Sequence, residues 1–106
     1  MPNGSVRKKG AAMATVKLAH TVASMGDATG AVLAEHQNRK YALVINDSAA
    51  VVYLKVGAAA GGNQGIRLAA TGGSFEMSSQ TGNLDKRAIN GITASGTKVL
   101  VVTEGT

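Results

Sequence analysis

From residue 38 to residue 104 the sequence is cut into short apolar runs by turn-forming residues that recur roughly every 8–12 positions. That punctuation restricts the chain to short strands. In "KYALVIN", Tyr41, Leu43 and Ile45 fall on one face of an extended segment, with Ala42 and Val44 on the other. Asn46-Asp47-Ser48 then offers side chains that hydrogen-bond their own backbone in turns. The next run sets Val52, Leu54 and Val56 against Val51, Tyr53 and Lys55. The pair reads as an antiparallel hairpin whose core face is Leu43, Ile45, Val52, Leu54 and Val56. Its second face, with Ala42, Val44, Val51 and Tyr53, is too apolar for free solvent.

Further along, "GAAAGGNQG" (residues 57–65) has no strand character and reads as a connector. Residues 66–68, 74–77, 88–92 and 98–103 are each expected as strands, with turns at Gly72-Gly73, Thr81-Gly82-Asn83 and Ser95-Gly96-Thr97. Residues 32–34 begin a shorter one. Many short strands with regular turns point to a sandwich or barrel. The expected fold is all-β: a small antiparallel β-sandwich or barrel-like, jelly-roll-like domain.

The N-terminal third reads differently. Residues 1–14 are polar, basic and glycine-containing, with too few large apolar groups to offset the entropy of ordering. From Ala14, alternate positions carry Val16, Leu18, His20 and Val22, which fits a half-buried strand. Leu18, Val22 and Met25 also keep helical spacing, so a helix is the alternative. Gly26 to Gly30 is a hinge. This divides the chain into an extended basic arm over residues 1–30 and a β-sandwich domain over residues 31–106.

Composition limits what such a chain can do alone. Alanine supplies 18 of its 106 residues, whereas Leu, Ile, Val and Phe together supply 23. A domain of this size buries only about 60–65% of its unfolded surface, so a thin core is best completed by association. With no cysteine, disulfides and thiolate metal sites are impossible. The longest apolar stretches fall short of the ~20 residues of a membrane helix. Lys17 interrupts what would otherwise imitate a signal peptide behind Arg7, Lys8 and Lys9.

Catalytic constellations are not legible. The six carboxylates, at Asp27, Glu35, Asp47, Glu76, Asp85 and Glu104, are widely separated, and His20 and His36 have no short ligand spacing. No serine sits in a Gly-x-Ser-x-Gly elbow, and the 57–65 loop lacks the Lys-Ser/Thr of a phosphate cradle. No catalytic residue, cofactor or metal is therefore expected, and the chain is read as no enzyme. A net charge of +5 raises nucleic acid as a partner. Only Arg7-Lys8-Lys9 is a cluster, however, and three aromatics give little for bases to stack on. Strand-like Val16, Leu18 and Val22 behind that cluster suggest instead an arm that adds to a neighbour's sheet edge. Tyr41 and Tyr53 are candidate contacts between subunits.

The order "NRKYALVINDS", "VVYLKVG", "GIRLAATGGSFEM", "TG" ahead of "AI", and "KVLVVTE" resembles small β-sandwich structural proteins of tailed-bacteriophage virions, of the head decoration (cement) or head-fibre type. The resemblance covers residues 38–104. Ala70 stands where it leads one to expect proline, which implies a looser Gly-Gly turn. It implies a protein made in the bacterial cytoplasm and placed on the capsid surface. Its partners would be the major capsid protein and copies of itself, plausibly as a trimer, with no small-molecule substrate and no membrane. A tail- or head-fibre attachment protein is the alternative place for the same module. The implied mechanism is burial of apolar surface against neighbours, at ~25 cal/mol per Å².

Overall fold

Among the described residues, eight strands follow one another without a helix: β1 (Leu18–Met25), β2 (Gly30–Leu33), β3 (Tyr41–Asn46), β4 (Val52–Val56), β5 (Ile66–Leu68), β6 (Ser74–Ser78), β7 (Ile89–Thr93) and β8 (Lys98–Gly105). The structure is a computed structural model and describes residues 15–106. Two four-stranded antiparallel sheets face each other, ordered β1-β8-β3-β6 and β2-β7-β4-β5. The pairs β1/β8, β2/β7, β3/β6 and β4/β5 make one long antiparallel ribbon, folded back at residues 57–65. Rolling it up brings β8 against β3 and β7 against β4, which closes each sheet. This is the jelly-roll topology.

The core lies between the sheets. Ala23, Met25, Ala42, Val44, Met77, Leu100 and Val102 face inward from the first sheet, and Val32, Val52, Leu54, Leu68 and Ile89 from the second. Only Gly91 of β7 fits where Met25 crosses it: a Cβ there would stand 2.6 Å from the Met25 sulfur, 3.2 Å from Val32 and 3.3 Å from Leu54. A backbone left bare at one point thus lets a long, flexible side chain fill the middle of the core.

Four expectations change. The segments around Asn46-Asp47-Ser48 are strands, but they are not paired: β3 belongs to the first sheet and β4 to the second. Asn46 makes that crossing possible. Its buried amide donates to the carbonyls of Ala50 (2.7 Å), Leu68 (3.2 Å) and Ala69 (3.1 Å), while its Oδ1 accepts from the Ser48 hydroxyl at 2.6 Å. A corner between two layers has backbone carbonyls that no ladder satisfies, and one side chain supplies their donors.

The inward face of β3 is the opposite of the one expected. Ala42, Val44 and Asn46 are buried, whereas Tyr41, Leu43 and Ile45 point outward and are half-buried. Smaller side chains face the core because Met77, Phe75, Leu100 and Val102 from the flanking strands share that space.

The arm expected over residues 1–30 is, from Leu18 onward, an integral strand: β1 pairs in register with β8 from Leu18↔Gly105 to Met25↔Lys98. The boundary placed at residue 30 falls where β2 begins. Residues 1–14, with the expected unordered tail, lie outside the described residues.

The turn with Ala70 in place of proline is tightly held. Thr71 and Gly72 donate to the carbonyls of Ser48 (2.7 Å) and Asn46 (2.8 Å), and Asn46 donates to that of Gly73 (2.7 Å). The geometry costs strain, since Thr71 sits at φ 59°, a region that β-branched residues avoid.

Candidate interaction surface

Antiparallel sheets usually turn apolar side chains inward and polar ones outward. The second sheet obeys. Tyr53 lies outside between Arg67 and Ile92, Lys55 lies beside Asn90, and the Tyr53 hydroxyl donates to Asn63 in the connector at 2.8 Å.

The first sheet does not obey. Register aligns its outer side chains in rows across the strands. One row is Val22, Val101, Ile45 and Ser74; the next is His20, Thr103, Leu43 and Glu76; a third is Leu18, Gly105, Tyr41 and Ser78. Val22 is 68% exposed, Leu18 56%, Val16 41% and Val101 37%. The result is a sheet face with Val22, Val101 and Ile45 together in one row and Leu18 and Tyr41 in another, separated by a row in which Leu43 stands among polar His20, Thr103 and Glu76. Exposed apolar side chains grouped on one face make it the candidate interaction surface.

A groove of about 500 Å³ opens at one end of this face, walled by Val16, Leu18, Tyr41 and Leu43. Gly105 shapes it, because a Cβ there would lie 2.5 Å from Val16 and 3.1 Å from Tyr41. The Tyr41 hydroxyl donates to Glu76 at 2.6 Å, and this bond to a carboxylate holds its pKa above the usual tyrosine value. His20 bonds Thr103 at 3.0 Å across β1 and β8.

Of the residues singled out in the sequence, Val16, Leu18, Val22 and Tyr41 come together on this surface. Tyr53 does not; it lies on the outside of the opposite sheet. Arg7, Lys8 and Lys9 lie outside the described residues. Sequence reading missed Leu43, Ile45, Val99 and Val101 as surface groups. The signal was their parity in register with Leu18 and Val22, legible only once β8 is known to separate β1 from β3.

The polar clusters are structural. Arg39, 1% exposed, donates from Nε to Glu104 at 2.7 Å, from Nη1 to the carbonyls of Asp85 (2.7 Å) and Arg87 (2.9 Å), and from Nη2 to that of Ala34 (2.8 Å). It thereby ties the β2–β3 and β6–β7 connections to β8. Arg87 lies against Asp85, and its guanidinium lowers the Asp85 carboxyl to about 2. Among the described residues no three His, Asp or Glu side chains converge as a metal site would require. Comparison with family models, curated proteins and solved structures returns no match.

Proposed function

We propose that the protein is a structural component of a tailed-bacteriophage virion, a capsid decoration (cement) protein that seats the outer face of its first sheet on the major capsid protein. The apolar side chains of that face carry the reading: Leu18, Val22, Val101, Ile45 and Leu43 lie on one surface with few charges to desolvate. Support also comes from the sequence resemblance over residues 38–104 and from the β-sandwich it implies. Shared folds alone do not assign function, so the weight rests on the face. Attachment would be reinforced by Arg7, Lys8 and Lys9 against acidic neighbours.

The test is a reconstruction of the virion that carries the protein. Many copies over the capsid lattice, first sheet inward, are expected; a single ring of copies at one vertex would assign it to a tail or head fibre instead. Ile45→Glu and Val101→Glu are expected to abolish incorporation while the isolated protein stays folded.

A further inference from the structure

Among the described residues, nothing guards the outer edge of β1. Of the four edge strands, β2, β5 and β6 have four, three and five residues, and β2 carries a bulge. β1 has eight residues, "LAHTVASM", with no bulge against β8, no proline and no Lys, Arg, Asp or Glu. Natural edges normally carry one of those protections.

Its hydrogen-bonding geometry is fixed by the neighbouring ladder. Lys17 and Thr106 exchange both backbone bonds, at 3.1 and 2.9 Å, so odd-numbered residues of β1 direct their N–H and C=O groups at β8. The even-numbered Leu18, His20, Val22 and Ser24 direct theirs away, where no described strand receives them. Ala19 and Thr21 are exposed too, although they share the inward parity of Ala23 and Met25. No described residue covers this half of β1 on its edge or on either face.

We infer that the occupant is β1 of a second copy, paired antiparallel about a two-fold axis through Val22. That register sets His20 of each copy against Ser24 of the other and makes about six backbone hydrogen bonds from the free groups. It is favoured by charge: Lys17 of each copy lies at the end of its mate's β1, where Asp27 stands in the bend that follows Met25, twice by symmetry. Both are exposed. It also sets Thr21 of each copy beside Ala23 of the other, and Ala19 beside Met25, so each copy extends the inner face of its mate's sheet. The two first sheets become one eight-stranded sheet, with the Val22 side chains of the two copies adjacent at the seam on its outer face. The contact is isologous and closes at two copies, in place of the trimer expected from the resemblance. It stands on the sheet edge, independently of the virion reading.

Sedimentation equilibrium on the full chain tests it. A dimer is expected. Val22→Pro removes only an N–H that points outward and leaves the bonds to β8 intact, so it should yield a folded monomer. Lys17→Asp and Asp27→Lys should each weaken association about tenfold, and the double exchange should restore it. A monomer or a trimer would overturn the proposal, as would a dimer indifferent to Val22→Pro or a charge exchange without rescue. A full-length monomer that associates only after removal of residues 1–14 would assign the edge to the chain's own N-terminal segment and equally overturn it.

Discussion

The guanidinium of Arg39 and the carboxylate of Glu104 meet at 2.7 Å with the arginine side chain fully shielded from solvent. All of its donor nitrogens are used, one on the carboxylate and the others on three carbonyls in two different connections. Arg39→Met strands Glu104 and those carbonyls without donors, and is expected to cost about 3–5 kcal/mol. Arg39→Lys should recover little, since a single ammonium cannot span four acceptors laid out for a planar fork. Urea denaturation with an unchanged slope and a lowered midpoint is the expected readout for both.

Asn46 has the same role at the β3–β4 crossing without charge. Asn46→Ala is expected to destabilise by about 1–3 kcal/mol, because three carbonyls lose the donor that a fully buried side chain supplies. Asn46→Asp should be worse than Asn46→Ala at neutral pH, since it aims a carboxylate at those oxygens. Thermal unfolding of the pair near neutrality orders the two variants.

At Gly91 the constraint is steric. Gly91→Ala inserts a methyl against Met25, Val32 and Leu54 and is expected to cost about 1–3 kcal/mol. Met25→Ala on that background should be less harmful than in the native protein. A double-mutant cycle in urea reads that coupling.

Thr71 offers a gain. Its left-handed backbone disfavours a branched side chain, and Asn tolerates that region. Thr71→Asn should stabilise by about 1 kcal/mol, visible as a raised thermal midpoint, provided the backbone bonds of Thr71 and Gly72 to Ser48 and Asn46 persist.

Asp85 sets an acid limit. Its folded pKa of about 2 lies below the ordinary 3.8, so the contribution of its contact with Arg87 is present above about pH 4 and lost as pH falls towards 2. The pair is substantially exposed, so the effect is small and screened by salt. The difference in thermal midpoint between the native protein and Asp85→Asn should shrink across that window and vanish at its lower end.

Strand positions were largely legible in the sequence because alternation and turn residues act locally. The outcome is close: residues 74–77 lie within β6, residues 66–68 form β5, and the 57–65 loop carries no strand. Choosing the inner face of β3 was not possible by alternation, since Leu43 and Ile45 alternate with the equally apolar Ala42 and Val44. Size favoured the wrong set. Pairing was hidden for a related reason: a turn such as Asn46-Asp47-Ser48 looks alike whether it joins neighbours in one sheet or steps between layers. Arg39 gave no local sign of burial, because its carboxylate partner lies 65 residues away. The apolar outer surface depends on both of those hidden choices.

The ribbon described above also sets a timetable. Its tip, residues 57–65, joins β4 to β5 at short range, whereas β1 finds β8 only after the intervening chain is in place. Entropy of loop closure makes zipping from the tip outward the cheapest route. β1 should then dock last and unfold first, so that among amides bonded within the sheets hydrogen exchange is fastest at Ala19 and Thr21 and slowest around Leu54. Until it docks, β8 has one flank bare, and it is there that a newly made chain is most exposed to the wrong neighbour.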